Sequence, residues 1–390
     1  MLGLAYWMAA ERLFETAEVG RATVTVSTAT MLGTLSCLSL GGMYERFLTS
    51  SGHRVRRLFA TGCALVFGTG LLVGGGFVLS GRHGLFTTTA ERWMFPAVVA
   101  VFALFALTDP ILVGLRDARV VAVKNITHSV AKLAALPFAA IVASSAWVIY
   151  GSWAALSGAA AALGLLWAWR RSTLPVLGRP AELPRARSLM THHAAVFSMM
   201  LVSLILPLYL PLVVLRMTDS THAAWFGLAQ VLVSGSTLFV AAVQSSYVAE
   251  ASHPGTDTAA ITRRVARIST LLAVACAAVL GLAGPFVLGL VGSDYQEHAT
   301  GHLVFMALAI LPQAVVGTYV AMARIRNRMM LALVAQIGAV AAVVLLAPLG
   351  VDRWGLTGVG AAFFSVEMVA CIVVLIPLVG SWRALTRGTR

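Results

Sequence analysis

The sequence predicts an all-α polytopic membrane protein of about 12 transmembrane helices, the first one truncated. Three observations lead there. Hydrophobic residues fill 59% of the 390 positions and charged residues only 11%, with a mean hydropathy of +0.88; a soluble domain needs far more polar surface. The apolar residues come in runs of about 20, the length that crosses roughly 30 Å of hydrocarbon. Arginines gather in short clusters at the ends of those runs, as orientation signals do. Helices are selected over an open sheet because lipid offers unpaired backbone groups no partner.

Met1 to Ala10 is apolar but too short to span, and no charged segment precedes it as a secretory signal requires. It is expected to be the tail of a first helix whose beginning is missing. The acidic loop Glu11, Glu15, Glu18 follows, and then spans are expected over Ala22 to Met43, Leu58 to Ser80, Trp93 to Leu115, Val120 to Val142 and Trp147 to Trp169. A polar stretch with Pro175, Pro180 and Pro184 has the composition of a linker. Six more spans are expected over Ala194 to Leu215, Ala224 to Tyr247, Ile268 to Val291, Leu303 to Ala323, Met329 to Leu349 and Gly355 to Val379. The linker thus separates an N-terminal lobe (1–169, helices 1–6) from a C-terminal lobe (191–390, helices 7–12), with 170–190 between them.

Charge supports this threading. The net charge of +13 does not point to nucleic acid, because the basic residues lie at span ends and alternate between sides. One side carries Arg46, Arg54, Arg56 and Arg57, then Arg116, Arg119 and Lys124, the five linker arginines, Arg263 with Arg264 and Arg267, Arg324 with Arg326 and Arg328, and the C-terminal arginines. The other holds few arginines and most of the loop carboxylates, so the linker and C-terminus are assigned to the cytoplasm of a multi-pass cell-membrane protein. Cys37, Cys63, Cys276 and Cys371 fall in apolar runs without paired spacing, and are expected to be reduced packing residues with no disulfide and no metal.

Chemistry concentrates between Thr108 and Leu136. Lys124, His128 and Lys132 are spaced i, i+4, i+8 and share one face of the fifth helix; they include the only two lysines of the chain. Ionisable groups cost roughly 2.5–3.5 kcal/mol each in a spanning helix, so several together face a partner or a watered cavity. Lys132 lies roughly 18 Å from the cytoplasmic end, too deep to snorkel. It is either in a structural ion pair with Asp109 or Glu367, or a cationic wall for a phosphate or pyrophosphate. Lys124, roughly 6 Å in, either snorkels to the interface or joins that wall. His128 is either a packing histidine or a titrating group. Asp109, before the helix-kinking Pro110, matches His128 in depth, so an Asp109 to His128 contact is expected; pairing and cation binding both fit the carboxylate. Glu367 sits mid-span in the last helix at a depth like that of Lys132. Arg46 and Arg116 mark the cytoplasmic mouth as topology signals or phosphate contacts. The Gly70 to Gly74 spacing indicates close helix packing.

An internal duplication is suggested by Gly20, Val26, Ser27 and Thr30 matching Gly227, Val233, Ser234 and Thr237 at a constant offset. Glu18-Val19-Gly20 leading into a Ser/Thr-rich span that ends Leu40-Gly41-Gly42 and reaches Arg46 resembles the second helix of the multidrug/oligosaccharidyl-lipid/polysaccharide exporter superfamily. The span from Phe226-Gly227 to Tyr247-Val248-Ala249-Glu250 is similar to that family's repeat of this helix, and Val291-Gly292-Ser293-Asp294-Tyr295 and Trp354-Gly355-Leu356-Thr357-Gly358-Val359-Gly360 fit as well. Within the superfamily the chain looks most like the bacterial polysaccharide flippases. The resemblance implies two six-helix lobes around a central cavity with alternating access. It implies a flippase for a lipid-linked oligosaccharide of the polyprenyl-pyrophosphate type, with membrane lipids and polysaccharide assembly proteins as the other partners and no cofactor. An ion-coupled exporter of small cationic drugs on the same scaffold is the competing expectation, kept open by Asp109 and Glu367. A membrane enzyme is disfavoured, since no nucleophile elbow, phosphate loop or carboxylate dyad occurs. Without a nucleotide-binding fingerprint, an ion gradient, the membrane potential or a substrate gradient must drive the cycle.

Overall fold

A computed structural model of the chain describes residues 2–48, 54–81, 84–115, 117–171, 186–251, 257–325 and 330–387, and every element among them is an α-helix. The chain separates into two compact units, Met1–Arg216 and Met217–Arg390.

In the first unit α1 (Leu2–Leu13) is followed by α2 (Thr16–Ser36) and a short α3 (Leu40–Phe47). The sequence favours one span from Ala22 to Met43, but the helix breaks at Leu38 and Ser39, whose φ angles of 49° and 53° are left-handed. That conformation costs about 1–2 kcal/mol per residue. The freed groups find partners: within the turn Leu40 N donates to Cys37 O at 2.8 Å, and from a neighbouring helix Thr69 Oγ1 donates to Ser36 O at 2.8 Å. Upstream, the hydroxyls of Thr23, Thr30 and Ser36 donate to carbonyls four residues earlier at 2.7–2.8 Å, which makes a Ser/Thr-rich segment tolerable in an apolar setting.

The hairpin of α4 (Val55–Leu79) and α5 (Thr89–Gly114) packs as the glycine spacing predicts. A Cβ on Gly70 would lie 2.6 Å from Ala100 Cα, and one on Gly74 2.7 Å from Pro96 Cα, so only glycine lets these backbones approach. Thr88 caps α5 by accepting from Glu91 N, while Glu91 accepts from Thr87 N and Oγ1 at 3.1 and 2.8 Å. Next come α6 (Ala118–Val142) and α7 (Ala146–Arg171). Glu18 of α2 ion-pairs with Arg21 and accepts from Ala146 N at 2.7 Å, supplying the carboxylate that an N-terminus favours to α7. The helix α8 (Ala186–Met217) carries Pro207 and Pro211 and begins beyond the undescribed part of the linker.

The second unit contains α9 (Ser220–Ala251), α10 (Thr258–Val291), α11 (Ser293–Ile325) and α12 (Met330–Arg387). Asp257 caps α10 by accepting from Ala259 N and Ala260 N at 3.0 Å. The 58 residues of α12 are two helices joined at Trp354 and Gly355, where the latter takes φ 57° and ψ −140°. The two segments touch backbone to backbone, since a Cβ on Gly350 would lie 2.5 Å from Gly358 O. The expected loop before the last span is therefore a sharp break of two residues.

Eight helices among the described residues are long and apolar enough to cross a membrane. One of them is α12, whose 54 residues from Met330 to Arg383 are enough for two spans of about 20 residues each, one on either side of its break. With α2 and α3 counted as one broken helix and α12 as two, the described helices follow the expected twelve-helix threading of a multi-pass membrane protein.

Candidate functional site

The ionisable file of α6 lies inside the first unit, covered by α1, α5 and α7. Lys124, His128 and Lys132 are 8%, 7% and 7% exposed, so all three turn inward as their shared helical face requires. Space for them comes from α7, whose inward stripe Ala154, Ser157, Ala161, Gly164, Ala168 is made of small residues. A Cβ on Gly164 would lie 2.5 Å from Thr108 Cγ2, so glycine lets α7 approach α5 here, and the Lys124 stem passes the same position, 3.6 Å from where that Cβ would be.

Lys124 does not snorkel. Its Nζ pairs with Asp109 Oδ1 at 2.6 Å, donates to Phe105 O at 3.2 Å and sits 3.6 Å from the Phe105 ring centre. Asp109 also accepts from Asn125 Nδ2 at 2.9 Å. The expected contact between Asp109 and His128 is therefore absent. Matching depths along the two helices ignored the reach of a lysine, which spans a turn and brings the stronger, oppositely charged partner to the carboxylate. Pairing and a second hydrogen bond are what an ammonium needs once it leaves water. His128 instead places Nε2 3.0 Å from Ser157 Oγ, with its ring 4.7 Å from that of Phe105.

Lys132 has a different environment. Its Nζ lies 3.4 Å from the Trp153 ring centre and 5.3 Å from that of Tyr6, and no carboxylate of the described residues forms an ion pair with it. The structural pair with Asp109 is excluded, because that carboxylate is held by Lys124 and Asn125. Tyr6, Trp7 and Trp153 form one aromatic cluster, with ring centres 4.9 to 5.6 Å apart. Cation–π attraction of about 2 kcal/mol when desolvated holds the ammonium here. Two lysines and one carboxylate leave the file with more basic than acidic groups.

Glu367 belongs to the second unit, on α12, where Gln313 Nε2 of α11 donates to its Oε1 across 3.4 Å. The side chain of Arg46, which lies on α3, and all of Arg116 fall outside the described residues. Sequence reasoning missed Asn125, Phe105, Ser157 and the aromatic cluster. The available signal was the pattern of α7, where Trp153 and Ser157 are one turn apart beside the small residues Ala154, Ala161, Gly164 and Ala168.

No protein-family model matches the sequence, and no curated relative is found. The fold, however, is shared with solved transporters. An inward-facing multidrug resistance MATE family transporter of the MOP superfamily superposes with a TM-score of 0.72 at 15% identity, over 100% of this chain and 96% of the other. The lipid II flippase MurJ, in an inward closed conformation, gives 0.63 at 10% identity over 99% and 88%. A MOP superfamily transporter from Pyrococcus furiosus, described as having a binding pocket of reversed polarity, gives 0.60 at 14% identity over 98% and 92%. The chain thus shares its fold with these MATE, MurJ and MOP superfamily structures.

Proposed function

We propose that this protein is a non-enzymatic flippase that moves a polyprenyl-pyrophosphate-linked oligosaccharide across the cytoplasmic membrane by alternating access between its two lobes, for export of a surface polysaccharide. Lys132 and Lys124 supply charge to the pyrophosphate, Asp109 and His128 shape the site, Glu367 is a second polar position, and Arg46 and Arg116 lie at the cytoplasmic mouth. The single observation that carries this reading is the buried ammonium of Lys132, which rests on aromatic rings with no carboxylate of the described residues paired to it. A pyrophosphate makes charge-assisted hydrogen bonds to such a group, whereas a cationic drug is repelled by it. A fold shared with a lipid II flippase is compatible with a lipid-linked substrate.

The second reading, an ion-coupled exporter of small cationic drugs, is supported by the fold shared with multidrug transporters and by the cluster of Tyr6, Trp7 and Trp153, since aromatic faces attract cations. Purified protein separates the two. Polyprenyl-pyrophosphate lipids should raise its melting temperature and cationic dyes should not. The opposite ranking would reverse the assignment.

A further inference from the structure

The Lys124 ammonium is held as a bound ion is held. Its Nζ has one carboxylate oxygen, Asp109 Oδ1, at 2.6 Å, one backbone carbonyl, Phe105 O, at 3.2 Å, and the face of the Phe105 ring with its centre 3.6 Å away. Carboxylates, backbone carbonyls and aromatic faces are groups that bind a dehydrated monovalent cation. All three belong to one turn of α5, whereas the lysine comes from α6. The cup is therefore complete without the residue that fills it.

The sequence suits this turn to the task. Pro110 has no N–H for the carbonyl of Ala106, four residues back, so this part of α5 has fewer backbone donors than carbonyls. Asn125 Nδ2 donates to Asp109 Oδ2 at 2.9 Å, which fixes the carboxylate and leaves Oδ1 to the cation. The Asp109 side chain is 32% exposed, against 5% for Lys124, so a small ion reaches the carboxylate. Divalent ions fit poorly, because Ca2+ and Mg2+ take six or more oxygens at roughly 2.0–2.6 Å, and no group of three acidic, histidine or cysteine side chains among the described residues could hold a metal.

We propose that Phe105 and Asp109, with the carboxylate oriented by Asn125, form a monovalent-cation site that the chain fills with its own ammonium, Lys124. When that ammonium is removed, a free ion enters, K+ better than Na+, because a cup sized for an ammonium suits the larger alkali ion. The inference goes beyond the substrate reading and concerns coupling: the wild-type chain carries a tethered cation here and takes none from solution at this site. Pairing and cation binding, the two expectations for Asp109, are then one and the same contact.

The test is thermal melting of the purified full chain in KCl, NaCl, methylammonium chloride or choline chloride at one ionic strength. No lipid-linked substrate is present, so failure here and failure of the substrate assignment are separate results. Wild type should melt at one temperature in all four salts. Lys124→Ala should melt about 2–4 °C higher in KCl or methylammonium chloride than in choline chloride, with a gain that saturates as binding requires. The double variant K124A/D109N should lose that gain. Lys124→Ser serves if the alanine variant folds poorly, and its folded yield should be higher in KCl than in choline chloride. Equal melting, or equal loss of folded protein, of the Lys124 variants in all four salts would overturn the assignment. So would an ion effect that survives Asp109→Asn, or one already present in wild type.

Discussion

Replacing Lys132 by methionine separates stability from transport, because the structure assigns the two opposite signs. The wild-type ammonium is 7% exposed and loses most of its hydration, a cost of several kcal/mol per ion in proteins. The rings of Trp153 and Tyr6 return about 2 kcal/mol, and no carboxylate of the described residues adds to that. Methionine keeps the length of the stem, packs against the same rings and removes the charge. Lys132→Met should therefore melt at the wild-type temperature or above it, a net gain on the order of 1–3 kcal/mol when an imperfectly compensated buried charge is replaced by an apolar group. Flipping of a polyprenyl-pyrophosphate-linked oligosaccharide in proteoliposomes, read by an impermeant reagent that reacts only with sugar on the outer face, should fall by at least about tenfold, the loss of one charge-assisted contact. A variant that melts well below wild type yet flips normally would refute the reasoning, since it would make Lys132 a structural residue with an anionic partner.

Other outcomes follow from individual contacts. Asp109→Asn leaves Lys124 buried without its carboxylate and should destabilise by about 1–3 kcal/mol, below the full buried-pair value because the aspartate side chain is 32% exposed; adding Lys124→Met should restore much of the loss in a double-mutant melting series. Ser157→Ala removes the partner of His128 and should cost about 1 kcal/mol in the same melts, whereas His128→Gln, which can still reach the hydroxyl, should cost less. Gly350→Ala sets a methyl against Gly358 O, a backbone atom that cannot rotate away, and should lower the melting temperature through about 1–3 kcal/mol of overpacking. The hydrogen bonds from Arg171 and Trp167 hold the Asp117 carboxyl below its ordinary range. The unfolded chain then binds the extra proton, so this contribution is complete above the usual carboxylate value and is lost as pH falls through the lowered one. Melting between neutral pH and acid should fall less steeply for Asp117→Asn than for wild type.

Legibility in the sequence followed the range of the interactions involved. Span number and order were readable because each span is a local property, a run of apolar residues long enough for the bilayer. The Gly70 and Gly74 contact was readable for the same reason, since a spacing of four residues on one helix already names the face that a neighbour approaches. The break at Leu38 and Ser39 was not. Nothing in Ser36-Cys37-Leu38-Ser39 forbids a helix, and what stabilises the left-handed pair is Thr69 of another helix reaching Ser36 O. Likewise the two-residue hinge of α12 depends on Gly350 meeting Gly358 O, a contact between segments that the pattern shows only as two separate apolar runs.

The α6 file shows the same division within a single site. Periodicity put Lys124, His128 and Lys132 on one face, and the structure buries all three. Their partners could not be ranked by depth alone. Rise per residue aligns backbone atoms, but a lysine carries its charge a full helical turn from its Cα, so Lys124 reached Asp109 ahead of the shorter imidazole. Once that carboxylate was taken, Lys132 was left to aromatic rings from α1 and α7, which no pattern on α6 announces. A buried cation stabilised by rings alone is held weakly enough for an anion to outcompete them, because a charge-assisted hydrogen bond to phosphate adds to Coulomb attraction what a ring face lacks. The paired Lys124 is by that reasoning the fixed member of the file and Lys132 the exchangeable one.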